Sequence, residues 1–184
     1  MIPTLQGVRL TLRPIMFSDR EDLFAIYGNA EVMKYTDEPP FPTLETVDQM
    51  LASVTALERA DASYEWAITL VSDGASDKST DTRERVITTR EKMIGTCGLH
   101  SFNDDRTQCE VGCMLNAHYW RQGYMTEALQ VLMDHAATLG ITELWAEIDA
   151  ANVASISLFT HLGFMYQGVN DQDCHLYSRD MTAG

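Results

Sequence analysis

From Gly7 to Pro14 apolar and polar side chains alternate, with Val8, Leu10 and Leu12 set against Arg9, Thr11 and Arg13. A period of two predicts a strand with one buried face. Ser18 or Asp19 then offers an N-cap, Glu21 and Asp22 follow in the first turn, and Leu23, Phe24, Ile26 and Tyr27 predict a helical face. The stretch Glu38-Pro39-Pro40-Phe41-Pro42 breaks the chain. Thr43 caps a second predicted helix through Glu58, with Val47, Leu51, Val54 and Leu57 on one stripe. Tyr64 to Val71 is rich in β-branched and aromatic residues and predicts a strand.

Residues 72–85 are polar and carry no hydrophobic period, so an exposed hairpin loop is expected there, longer than most and read as a tolerated insertion. Strands are expected at Lys92–His100 and Gln108–Asn116. A helix is expected at Thr126–Leu139, where Ala128, Leu129, Leu132, Ala136 and Leu139 share a side and Gly140 ends it. Thr142–Asp149 predicts a strand and Ser155–Leu162 a short helix stopped by Gly163. Phe164–Val169 and Cys174–Ser178 predict two more strands. Antiparallel hairpins followed by strand–helix–strand–helix–strand give an α+β (α/β layered) protein with one mixed sheet.

Length and charge narrow the function. A chain of 184 residues suits one domain, 1–184, with a sizeable core. Twenty-seven acidic against 13 basic residues give a formal charge of -14. Polyanion binders need basic patches, so nucleic acid is excluded as a partner. An acidic field attracts an amine-bearing substrate, or simply keeps the protein soluble. No apolar run matches a bilayer and the first residues lack the makings of a signal peptide, so a cytoplasmic protein with no membrane partner is expected. The four cysteines form no CxxC pair and no zinc-like cluster, so no metal is expected.

The informative stretch is Trp120-Arg121-Gln122-Gly123-Tyr124-Met125-Thr126-Glu127-Ala128, between a predicted strand and a strong helix. A glycine turn entering a helix aims several N–H groups at one spot, which suits a pyrophosphate. The same residues also read as an ordinary strand-to-helix turn. GxxxxGK[ST] and GxGxxG are both missing, which leaves a site made mainly of backbone.

The run from Glu110 to Leu129, EVGCMLNAHYWRQGYMTEAL, resembles the acetyl-CoA motif of the GNAT superfamily of N-acetyltransferases. It most resembles the branch containing the ribosomal-protein N-terminal alanine and serine acetyltransferases. Asn152-Val153-Ala154-Ser155, with Leu158 to Phe164, resembles that family's next motif, and Arg9 to Pro14 with Ser18-Asp19 fits its start.

The resemblance implies a mixed, mostly antiparallel sheet flanked by helices, with a splayed strand pair at the coenzyme site. It implies that backbone near Met114, Leu115 and Asn116 pairs with the pantetheine arm of acetyl-CoA. Arg121, Gln122, Gly123, Tyr124, Met125 and Thr126 hold the pyrophosphate, and Asn152 bonds the pantetheine or nearby backbone. Phe159 joins this coenzyme set at a position where many members carry a Tyr acid, and it has no proton to give. Ser155 is then the candidate proton donor to sulfur, its other reading being a helix N-cap. Glu110 is the candidate general base or water-ordering group, its other reading being a strand carboxylate bonded to backbone. Asp171 and Asp173 are weaker alternatives.

Cys113 reads as a core thiol. His100, His118, His135 and His161 read as structural or solvated, and Tyr35, Trp66 and Phe102 as acceptor-side or core. The implied reaction is direct transfer in a ternary complex to a primary amine, either a protein N-terminus or a small molecule. A non-catalytic acyl-CoA-binding regulatory domain and a ribosome-associated factor are the alternatives. Dimers are common in the family, so a homodimer is also an expectation.

Overall fold

The computed structural model describes residues 2–71, 91–171 and 173–182, and the expected loop at 72–85 lies outside the described residues. In chain order the elements are β1 (Leu5–Gln6), β2 (Leu10–Pro14), α1 (Arg20–Tyr27), α2 (Leu44–Arg59), β3 (Tyr64–Leu70), β4 (Met93–His100) and β5 (Gln108–Leu115). They continue with α3 (Tyr124–Thr138), β6 (Glu143–Ile148), α4 (Val153–His161), β7 (Met165–Val169) and β8 (His175–Asp180). Among the described residues the eight strands form one sheet, ordered β1-β2-β3-β4-β5-β6-β8-β7. Every neighbouring pair is antiparallel except β5 and β6, which run parallel.

Alternation along the strands sends side chains to two different environments. On one face Leu10, Leu12, Trp66, Ile68, Cys97, Leu99, Val111, Leu144 and Ala146 pack with Ala128, Leu129, Leu132 and Ala136 of α3 and Phe159 of α4. On the other face Leu23 and Ile26 of α1 and Val47 of α2 close over Ala67 and Met93, with Met114 packed at the margin. Both faces of the sheet are therefore used, as its neighbouring helices require.

A buried ion pair joins β2 to α1. Asp19 is fully buried, and Arg13 donates to both of its carboxylate oxygens at 2.8 Å while the Met16 N–H donates to Oδ2 at 2.8 Å. Asp19 does occupy the N-cap position of α1, but no side-chain cap bond forms there because its carboxylate turns back to Arg13. Thr43, at the head of α2, likewise makes no side-chain cap bond.

Helix starts differ most from expectation. α3 begins at Tyr124, two residues early, because left-handed Gly123 sets its entry. α4 begins at Val153, with Asn152 as the cap accepting from the Ser155 N–H at 3.1 Å, so Ser155 lies inside the first turn and is not the cap. Two expected stripe residues are half exposed, Leu57 at 45% and Leu139 at 47%; each lies in or just past the last turn of its helix.

Removing one partner of a buried pair leaves an uncompensated charge, which costs about 3–5 kcal/mol. Asp19→Ala should therefore lower Tm by roughly 10 °C. Differential scanning calorimetry checks this, and an unchanged Tm would show that Arg13 finds another partner.

Candidate functional site

β5 and β6 pair through only three positions, Gln108↔Glu143, Cys109↔Leu144 and Glu110↔Trp145. β5 then runs on to Leu115 and β6 to Ile148 without pairing. The strands are parallel, so both carboxyl ends and the starts of α3 and α4 gather at the open end of this splay. On its other edge β5 is fully paired with β4. The Asn116 N–H donates to the Ile94 C=O at 2.9 Å, which fixes the alternation. Main-chain groups of Met114 and Asn116 therefore turn toward β4, and those of Cys113 and Leu115 turn into the opening. The Leu115 carbonyl already accepts from the Trp120 indole at 2.8 Å. Of the three expected pantetheine partners, only Leu115 offers an N–H to the gap, and Cys113 joins it.

The turn from β5 to α3 is built on two left-handed residues, Arg121 at φ 58° and Gly123 at φ 78°. A Cβ on Gly123 would also stand 3.3 Å from an Arg9 guanidinium nitrogen. The glycine is thus demanded by its own backbone angle first. The first N–H groups of a helix have no intrahelical acceptor. No side chain caps those of Tyr124, Met125 and Thr126. Met125 is 8% exposed, so it meets any ligand through its backbone while its side chain fills the core.

Arg9 organises this turn from β2's side. Its Nη1 donates to the Gln122 carbonyl at 2.9 Å, and its backbone N–H and Nε each donate to Glu127 at 2.7 Å. Its guanidinium also stacks 4.7 Å from the Tyr124 ring centre. Burial works against the Glu127 charge, yet the Arg9 hydrogen bonds hold its carboxyl below the usual range. A groove of about 780 Å³ runs beside the turn, lined by Arg9, Gly123, Thr126, Glu127, Gln130 and His161.

Ser155 sits half-buried in the first turn of α4. Phe159 is 3% exposed, packed edge-on against Phe164 with ring centres 5.0 Å apart, and so belongs to the core.

The sheet face shared with α1 and α2 carries a polar cluster. The Glu65 carboxylate lies over Gly98, where a Cβ would stand 2.2 Å from its oxygen. The His100 ring lies over Gly112, with a Cβ there 2.8 Å from Nε2. His100 Nδ1 is 3.2 Å from Glu110 Oε2, which also accepts from the Ser101 hydroxyl at 3.2 Å. Burial pushes the Glu65 carboxyl up to about 7, with His100 pulling it back. Burial pulls His100 down, but the Glu110 hydrogen bond and the carboxylates of Glu110, Glu65 and Glu147 leave it raised overall.

The other candidates fall apart from these sites. Cys113 is pushed up to about 12 by burial and then by Glu65, which makes it a poor nucleophile. Trp66 is fully buried and donates its indole N–H to the Pro3 carbonyl at 2.9 Å. Phe102 packs edge-on against Tyr64, and Tyr35 lies under Lys34. Asp171 and Asp173 are exposed. His118 pairs with Asn116, and His135 packs on Trp66. Among the described residues no group of three or more His, Cys, Asp or Glu is arranged to hold a metal. None of their helices is long and apolar enough to cross a membrane.

Sequence reasoning passed over Glu65, placed Arg9 on the first strand without a role at the turn, and read His100 as structural or solvated. The available signal was glycine inside strands, at Gly98 and Gly112, which marks close approach of another group.

A family model described as an acetyltransferase (GNAT) domain matches residues 9–165. Uncharacterized N-acetyltransferase YoaA of Bacillus subtilis (strain 168) is 28% identical over 170 residues, covering 92% of this chain and 86% of that protein. A solved RimL ribosomal L7/L12 alpha-N-protein acetyltransferase, in complex with coenzyme A, superposes with a TM-score of 0.80 at 18% identity over 99% of this chain and 100% of that one. Microcin C7 self immunity acetyltransferase MccE, in complex with acetyl-CoA and AMP, gives 0.76 at 15% identity over 94% and 92%. These structures share the fold.

Gly123→Ala forces a Cβ into a left-handed position, at about 1–2 kcal/mol. Tm should fall by roughly 2–6 °C, and the dissociation constant for coenzyme A, read by calorimetric titration, should rise by about tenfold or more. Unchanged affinity would detach this turn from the coenzyme.

Proposed function

The chain belongs to the GNAT acetyltransferase family and is an N-acetyltransferase; on that premise we propose that it moves acetyl from acetyl-CoA directly to a primary amine in a ternary complex. One observation carries the reading. The unpaired edge of β5, the uncapped start of α3 and the start of α4 converge on one opening. That arrangement suits a long ligand with amides in its middle and a diphosphate at one end. The amides would pair with Cys113 and Leu115, and the diphosphate would meet the N–H groups from Gly123 to Thr126. RimL and MccE, which share the fold, were solved with coenzyme A and acetyl-CoA respectively, which supports a ligand of that class. Continuity of the eight-stranded sheet supports treating 1–184 as one acetyltransferase domain.

Chemistry then needs three things. An N–H must meet the oxyanion, and the Cys113 N–H at the splay is placed for that. The acceptor ammonium must lose a proton, and the Glu110 region is the carboxylate-bearing surface beside the splay. The departing thiolate must gain one, and Ser155 Oγ is the proposed donor, since Phe159 cannot supply it. Asn152 serves by capping α4 and so fixing where Ser155 stands. The charge of -14 favours a cationic acceptor, a protein N-terminus or a small amine.

An acetyl-CoA turnover assay over N-terminal peptides and small amines tests the reading, and coenzyme binding without turnover on any amine would overturn it. Ser155→Ala should lower kcat by about 10²-fold while leaving coenzyme affinity unchanged. If kcat holds, the proton reaches sulfur from elsewhere.

A further inference from the structure

The proposed acceptor arrives as an ammonium and must be deprotonated before it can attack, and this inference rests on that reading. We propose that His100 takes the proton at Nε2, while Glu110 holds Nδ1 and acts through the imidazole as a positioning residue.

Geometry separates the two roles. Glu110 Oε2 is already occupied by His100 Nδ1 and the Ser101 hydroxyl, both at 3.2 Å. An amine reaching Glu110 would have to displace them. His100 Nε2 makes no hydrogen bond among the described residues and lies over Gly112. Gly112 comes two residues past Glu110, the last β5 position paired with β6, so this nitrogen stands where the splay begins. Residue 112 must lack a side chain for the imidazole to lie there. Gly98 on β4 plays the same part for Glu65, directly across from it on β3. Two strand glycines therefore clear the floor under two titratable groups.

The surroundings raise the proton affinity of the imidazole. The groups facing the imidazole are Glu110 from β5, Glu65 from β3 and Glu147 from β6. Tyr27 of α1 stands next to them, its hydroxyl 2.9 Å from Thr96 Oγ1. No residue among those described hydrogen-bonds the Glu65 carboxylate, so it acts on His100 through charge alone. A general base poised near working pH is the most effective kind.

The proton count closes. One ammonium proton moves to Nε2, the freed lone pair forms the N–C bond, and the thioester C=O becomes an oxyanion. Collapse breaks C–S with its electron pair leaving on sulfur. The thiolate takes the Ser155 hydroxyl proton, and the surplus proton of the new amide nitrogen restores that hydroxyl. The products are the N-acetyl amine, coenzyme A thiol and one proton passed from His100 to solvent.

The test uses the full chain, acetyl-CoA and the best-turned-over amine of the panel. His100→Gln should lower kcat/KM for the amine at about pH 7 by roughly 10²-fold with coenzyme A affinity unchanged. Its acidic limb should disappear, leaving a rate that rises with the free-amine fraction of the acceptor, and added imidazole should restore part of the loss. Gly112→Ala, which displaces the ring without removing a titratable group, should reproduce the defect. Glu65→Gln removes a carboxylate that raises His100, so it should move the acidic limb to lower pH. A wild-type pH profile in His100→Gln, or one altered in Glu110→Gln alone, would overturn the dyad while wild-type turnover stands. Absence of turnover in the unmutated protein overturns the acetyl-transfer reading instead.

Discussion

Everything at the site follows from a parallel strand pair that stops pairing early. β5 and β6 bond at three positions and then part, leaving the main-chain groups of Cys113 and the Leu115 N–H aimed at empty ladder, while the Leu115 carbonyl is taken by the Trp120 indole. Unsatisfied backbone is expensive, about 1–3 kcal/mol for each group kept from water, so the opening must admit solvent or a ligand that pairs like a strand. The parallel direction matters equally. It brings two helix starts to the same end, where their free N–H groups face the same volume. An antiparallel pair would have sent one helix start to the far edge of the sheet.

The sheet's second face shows how space was made for chemistry. α1 and α2 bury Ala67 and Met93, but the rows beyond carry Glu65, His100 and Glu110. Buried carboxylates and imidazole are tolerated only with partners or with shifted proton affinity. Here both occur: Glu110 has two donors, while burial raises the Glu65 carboxyl to about 7. Gly98 and Gly112 remove the packing that would otherwise fill these rows. The core face opposite keeps Cys97, Leu99, Cys109 and Val111 from the same two strands. Alternation thus lets single strands pack an apolar core on one side and carry titratable groups on the other.

Much of this was legible beforehand. The alternation around Leu10 and Leu12 and the stripe of Ala128, Leu129, Leu132 and Ala136 gave correct elements because burial imposes those periods. The turn around Gly123 was readable locally, as a glycine turn entering a helix, but the splay came from motif resemblance, since no local period encodes a gap between strands. Three things stayed hidden. Arg9 and Glu127 are 118 positions apart, so only the fold reveals their bond. Strand register decided that Cys113 and Leu115, and not Met114, face the opening, and register depends on which partner lies alongside. His100 looked ordinary because its meaning comes from Gly112 on the next strand.

The proposed diphosphate site, in a chain of charge -14, also needs explaining. The turn's own basic side chain, Arg121, is exposed, and the site is otherwise main chain. A carboxylate, Glu127, sits in the first turn of α3, where it would compete for the same N–H groups. Arg9 neutralises it with two bonds and spends a third on the Gln122 carbonyl. That carbonyl is thereby turned toward β2, which helps aim the N–H groups that follow the other way. Field strength at the turn is therefore set locally, by helix dipole and one crossing arginine, at distances shorter than the roughly 10 Å over which salt screens the remaining charge. The acidic remainder lies outside this local balance, so under the proposed function a cationic acceptor would be drawn by the overall charge while the coenzyme's diphosphate meets the turn.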